Sequence, residues 1–468
     1  MMGSYGIYVF LYLIITVLIG IIAARRVKNA KDFILAGRSL PLPISTAALF
    51  ATWFGSETIL GSSVEFAKGG FLAVIQDPFG GALCLLLLGI FFAKSLYRMQ
   101  ILTFGDFYRD RYGKKMEFIA GICLIFSYFG WVAAQFVALG IMMQIIFGVS
   151  QVVGLSVGAV LVVFYTYLGG MWSVSLTDFF QSISILVGLV FVFFQINEVK
   201  SVWASLQETP PGFLNFFPEA SYDAWVKYLA AWMVVGLGSL PQQDIFQRVM
   251  SAKSEKVAVL ASYLSAIIYL SFAMIPLLLG LLAHQLLPEL SLHSEDSQLL
   301  IPRLVLHFAS PLVQVLFFSA LISAILSTAS GAILAPSSIL SENILKYFLK
   351  TKTDKSLLKL SRVSVLVVAI ISYALAVGKP SIYALVEDSS GLSLVSIFIP
   401  MVFGLWSQKA SEQAALLSLF TGIATWVVLE AMDLEMTSHF YGTLTSLMAI
   451  LLGMKLFPKV PETAAITK

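Results

Sequence analysis

Cysteine, histidine and charge are all scarce in this chain. Its two cysteines, Cys84 and Cys123, lie inside apolar stretches and cannot make a disulfide framework or a thiolate metal site. The four histidines are scattered, and no pair has metal-ligand spacing. Charged residues are 12% of the sequence, about half the share of a soluble domain. Hydrophobic residues are 59%, and the mean hydropathy is +0.90. That balance excludes a soluble globular protein and leaves a polytopic helical membrane protein. No P-loop and no H-E-x-x-H string occurs, and without a P-loop transport by this chain alone is not ATP-driven.

Long apolar runs fill the space that charge leaves. Stretches of roughly 20 residues, the length that spans a bilayer as a helix, fall near 4–23, 43–66, 71–93, 117–147, 151–169, 176–196, 223–241, 257–287, 311–341, 361–378, 381–407, 411–431 and 437–456. The first resembles a signal peptide in place only. It has no basic segment before it, it is long enough to span, and Arg25, Arg26 and Lys28 follow it. Thirteen spans put the termini on opposite sides. Alternate loops divide the 29 Lys and Arg residues very unequally, with 24 on one side and only Lys68, Lys200, Lys227, Arg303 and Lys379 on the other. The positive-inside rule makes the rich side cytoplasmic, so the N-terminus is expected outside and the C-terminus inside. Short loops and a short tail favour a bacterial inner membrane.

Two spans carry breaks. Span 43–66 contains Trp53-Phe54-Gly55-Ser56-Glu57, and residues 234–244 read VVGLGSLPQQD, with Gly236, Gly238 and Pro241 close together. Glycine and proline weaken a helix and free its carbonyls. At membrane depth, such backbone survives only against protein or a cavity. The breaks fall in the second and seventh spans, five apart. That is the pattern of two inverted five-helix repeats with a solute site between them.

Polar residues at depth point to chemistry. Leu321 to Gly331 reads LISAILSTASG, where Ser323, Ser327 and Ser330 share one helical face and Thr328 sits beside them. Hydroxyls can simply bond back to the preceding turn, but a stripe of four also offers the oxygens a hard cation takes. Asp77, next to Pro78, and Glu57 are carboxylates well inside spans, where burial costs roughly 2.5–3.5 kcal/mol. Asp178 begins the sixth span, either as a dipole-favoured acid or as part of an ion path. Trp53 and Trp131 lie deeper than the interface where tryptophan is usual. Each alone reads as packing, whereas with Asp77 the two rings offer a cation site. Gln242 and Gln243 follow the second break as candidate polar contacts.

The motifs AGRSLPL (36–42), ATWFGSETILG (51–61), GIFFAKSL (89–96), RYGKKM (111–116), YLGGMWSVSLTDFFQ (167–181), IFQRVMSA (245–252) and AILSTASGAIL (324–334) occur in order along nearly the whole chain. Together they resemble the sodium/solute symporter family, and within it the high-affinity choline transporters. The resemblance implies an all-α membrane protein of leucine-transporter type, with a 5+5 inverted repeat and 13 transmembrane helices in one transporter domain. Residues 4–23 form an extra first helix, 43–196 the first repeat, 223–407 the second, and 411–456 two further helices. It also implies a sodium ion held by the carbonyls of Ala51, Phe54 and Ala324 and the hydroxyls of Ser327 and Thr328. Some family members add a second sodium, at the positions of Asp178, Ser327 and Ser330 here, with Gly331 where a further serine is expected. Trp53 and Trp131 match part of an aromatic cage for a quaternary ammonium. Gln242 stands where a third tryptophan would be and Gly81 where a tyrosine would be, while Asp77 is an acid that the pattern lacks.

The expectation is a sodium-coupled symporter in the plasma membrane that imports a small organic cation or zwitterion by alternating access. Its solute-binding residues would be Trp53, Asp77, Trp131, Gln242 and Gln243. Its partners would be that solute, sodium and lipid, with no nucleic acid, no cofactor beyond the coupling ion and no enzymatic activity. The alternatives are proline or another amino acid, pantothenate, a sugar acid, or proton coupling on the same fold. A membrane sensor is disfavoured because the sequence stops at Lys468, soon after the last span. A channel is disfavoured by the paired breaks.

Overall fold

The structure is a computed structural model that describes residues 4–290, 292, 295–350, 353–378, 389–432 and 437–459. Residues 381–388, at the start of the predicted span 381–407, Lys379 and the tail beyond 459 lie outside the described residues. The described chain is helical, and its one β-type pairing is an isolated parallel bridge between Leu40 and Ala252. Polar caps start several of the helices. Ser150, Ser221, Ser254 and Ser411 each accept an amide hydrogen bond from three residues ahead.

Among the described residues, nine helices are long and apolar enough to cross a membrane. The expected thirteen spans map onto them with physical reasons for the difference. Spans 151–169 and 176–196 follow one another without a loop in Gln151–Val199, and the backbone turns out of helical geometry between them at Gly170 (φ 48°, ψ −136°). Only glycine adopts that conformation without strain, and a Cβ there would strike the carbonyl oxygen of Phe33. The second and seventh spans are cut short by their breaks. Helix Ser438–Leu456 is long enough but is not among the nine.

The second span runs as Leu42–Trp53, a break, and Ser62–Ala73. Phe54 leaves helical geometry (φ −88°, ψ 70°), and the amide of Gly55 donates to Trp53 O at 3.1 Å. In an unbroken helix that amide would serve Ala51 O, so the break releases that carbonyl. The seventh span runs as Tyr222–Gly236, a break, and Gln243–Ser251. The two broken spans are tied together at one end. Leu40 N donates to Ser251 O at 3.0 Å, and Lys253 N donates to Leu40 O at 2.9 Å. Helix Pro311–Ile339 packs along Gln151–Val199 and touches both Leu42–Trp53 and Gln243–Ser251. This helix therefore runs past both broken spans.

Candidate functional site

Released carbonyls and the hydroxyl stripe meet at one point. Thr328 Oγ1 donates to Ala51 O at 3.1 Å, joining helix Pro311–Ile339 to the first break. A hard cation of calcium size takes six or more oxygens at about 2.3–2.6 Å, which sets neighbouring ligand oxygens roughly 3–3.5 Å apart. The Thr328–Ala51 pair has that spacing. Gly55 makes the approach possible, because a Cβ there would lie 2.7 Å from Thr328 Oγ1. Ala324 is one turn before Thr328, and helix carbonyls point toward the C-terminal end, so its oxygen heads toward Ser327 and Thr328. Phe54 closes the broken half-helix beside them. Ala51, Phe54, Ala324, Ser327 and Thr328 are all buried.

The stripe itself divides. Ser323 is tied to Tyr12 of the first helix and donates to Ser319 O at 2.6 Å. Ser327 donates to Asp178 Oδ1. Ser330 donates to Ser327 O at 2.9 Å. Only Thr328 reaches across to the break.

A second polar centre lies along the same broken helix. A small cavity is lined by Trp53, Asp77, Trp131 and Gln242, four of the five residues expected to meet a solute. The fifth does not line it. Gln243 Oε1 accepts the amide of Phe104 at 2.6 Å, which caps the short helix Phe104–Tyr112. Glu57, Gln76, Val235, Ser239 and Ser390 complete the lining and were not assigned to the solute from sequence. Glu57 stands out in the sequence as a carboxylate inside an apolar span, but its place in this cavity does not. Ser390 gives no such signal, because only tertiary packing brings it there.

The two acids differ in how they are held. Asp77 accepts from three hydroxyls: Tyr269, Ser62 at 2.7 Å and Thr58 at 3.0 Å. Glu57 accepts from Gln135 Nε2 at 3.0 Å. Trp53 faces Tyr269 with ring centroids 6.3 Å apart, and Tyr128 stacks on Trp131 at 5.9 Å. The indole N–H of Trp53 is buried without a hydrogen-bond partner among the described residues. At Gly81, where the cage pattern has a tyrosine, a Cβ would lie 3.0 Å from Tyr269 and 3.1 Å from Trp53. Tyr269 thus fills that space from another helix. Gln242 donates to Ser393 Oγ at 3.3 Å, and Ser393 donates to Gly238 O at 2.6 Å, which ties the second break to the residues after 389.

Two larger clefts, one by Phe10 and Met143 and one by Val160 and Tyr373, open at the perimeter with almost wholly apolar linings. The string GLSVG (154–158) has the spacing of a hydrolase nucleophile elbow, yet it lies inside a continuous helix. There Ser156 donates to Val152 O at 2.7 Å, and no sharp turn presents it.

The paired breaks, the carbonyl–hydroxyl junction and the buried acid–aromatic cavity agree with the comparisons. The sodium:solute symporter family model matches residues 33–422. The chain belongs to that family. It is therefore a multi-pass membrane transport protein. It is 30% identical to the human high affinity choline transporter 1 over 448 residues, covering 90% of this chain and 75% of that protein. It is 26% identical to the sodium/proline symporter of Staphylococcus aureus, covering 90% of this chain and 85% of that protein. Its fold is that of a sodium-coupled sialic acid symporter solved in a substrate-bound, outward-open state. The TM-score is 0.84 at 17% identity, with 98% of this chain and 100% of that one covered. A nucleobase-cation-symport-1 transporter in a closed conformation aligns with TM-score 0.60 at 15% identity, covering 92% and 96%. These neighbours share the all-helical fold of this chain.

Proposed function

We propose that this chain is a sodium-coupled symporter that imports a small organic cation or zwitterion of the choline class by alternating access. The observation that carries the reading is the 3.1 Å contact between Thr328 and Ala51, where oxygens from two different helices converge at a break. Sodium would be held there by the carbonyls of Ala51, Phe54 and Ala324 and the hydroxyls of Ser327 and Thr328. The solute would sit one turn away against Trp53, Trp131, Asp77 and Gln242, with Glu57 lining the same cavity. Because Trp53 lies between Ala51 and Phe54 in sequence, ordering the break around sodium also orders one wall of the solute cavity. The likeness to choline transporters supports a cationic head group, and Asp77 and Glu57 supply the counter-charge. The apolar runs support thirteen crossings, and the distribution of Lys and Arg supports an N-terminus outside and a C-terminus in the cytoplasm.

A zwitterionic amino acid is the second reading. The likeness to the Staphylococcus aureus sodium/proline symporter favours it, as do Gln242, Ser239 and Ser390, whose donors could meet a carboxylate. Proteoliposomes with an inward sodium gradient separate the two when offered labelled choline and labelled proline. The expected result is sodium-driven accumulation of choline or a close amine, on the order of tenfold above a potassium control, within the usual range of coupling between sites. Accumulation of proline alone would establish the second reading. Equal uptake in sodium and potassium would refute sodium coupling.

A further inference from the structure

Among the described residues, Arg248 is the largest side chain to be fully buried, at 1% exposure. It sits on Gln243–Ser251, just past the second break. Its Nε donates to Ala48 O at 2.8 Å, and its Nη1 donates to Asp244 O at 3.3 Å. Its Nη2 lies 3.6 Å from Asp178 Oδ2, a charge pair in which neither atom has a hydrogen-bond partner among the described residues. The guanidinium occupies the space in front of Gly331. A Cβ on Gly331 would collide with Nη2 and lie 3.1 Å from Nη1 and 3.2 Å from Cζ. Glycine at 331 is thus what admits the arginine.

This bears on the donor set that the family resemblance implies for a second sodium. One Asp178 oxygen accepts the Ser327 hydroxyl, and the other faces Arg248. Ser330 turns its hydroxyl back to Ser327 O. A hydroxyl at 331 is replaced by the arginine itself. The charges give the same result. Arg248 is the cationic neighbour of both Asp178 and Asp244, two buried acids against one guanidinium. A second sodium would have to enter beside a buried like charge, which low-dielectric surroundings oppose.

We propose that Arg248 is the resident cation of the Asp178 pocket, seated there because Gly331 has no side chain, so that the chain binds one sodium ion per cycle rather than two. The inference rests on the sodium-coupled reading above. Equilibrium binding of radioactive sodium to the purified full-length chain tests it. The unmodified protein should bind one ion per chain. Ser330→Ala should keep that count with unchanged affinity. Arg248→Gln, which leaves Asp178 without its counter-charge, should raise the count to two. Two ions on the unmodified chain, a tenfold or greater loss of affinity in Ser330→Ala, or a count still at one in folded Arg248→Gln would overturn the inference. If Arg248→Gln does not fold, the first two measurements decide. Binding of no sodium at all would overturn the sodium-coupled reading, a different outcome from binding two.

Discussion

Replacing Ser327 and Thr328 together by alanine is expected to bring uptake in a sodium gradient down to the rate measured in potassium. The two hydroxyls do different things in the structure. Thr328 Oγ1 lies against Ala51 O, and Ser327 Oγ lies against Asp178. Removing both takes away the side-chain oxygens at the junction and leaves only backbone carbonyls there. Carbonyls alone provide fewer ligands than a hard cation takes. A conformational equilibrium moves only by as much as the ion's affinity differs between its states. An ion that no longer binds can no longer drive the cycle. The loss should be the whole sodium stimulation, with the sodium-independent rate unchanged. Initial rates in matched sodium and potassium buffers measure it, and a double variant that keeps full stimulation would remove these residues from the ion site.

Asp77→Asn is expected to cut uptake of a cationic amine by roughly 10–100-fold and to leave a neutral solute of similar size little changed. A hydrogen bond or ion contact to a charged group is worth about 1.5–3 kcal/mol, and every 1.4 kcal/mol is tenfold. The substitution keeps the shape of the side chain. The hydroxyls of Tyr269, Ser62 and Thr58 that now donate to Asp77 can rotate to suit an amide. Charge is then the main thing removed. Competition of cationic and neutral solutes against one labelled substrate reads the difference. An equal fall for both classes, accompanied by lower thermal stability, would make Asp77 a structural acid that pins the first break and not a solute contact.

The membrane class, the two broken spans and the hydroxyl stripe were legible because each depends on local composition. Apolar length, glycine and proline at depth and a four-residue repeat are all readable along one strand of text. Ser327 and Thr328 could be singled out in this way, but Asp178 could not be paired with Arg248. That contact joins residues seventy positions apart, and the absence of a side chain at Gly331 has meaning only once the guanidinium lies in front of it. The same limit explains Gln242 and Gln243. Adjacent in sequence at a helix start, they leave the chain in different directions, one to the cavity and one to the amide of Phe104. The helix count differs for a related reason. At Gly170 the backbone leaves helical geometry with no loop on either side, so the two apolar runs follow one another directly and only the kink separates them.

The central claim is that one ion, gripped where the first break meets helix Pro311–Ile339, shares its binding energy with the solute in the cavity beside it. Titrating the transported solute into purified protein at zero and at saturating sodium, and titrating sodium with and without that solute, tests this most directly. Linkage requires each ligand to tighten the other by the same factor. The predicted factor is between about 5 and 150, as is typical of coupled sites, and it should fall to unity in the Ser327/Thr328 double alanine variant. Solute affinity that is identical with and without sodium in the unmodified chain would contradict the account.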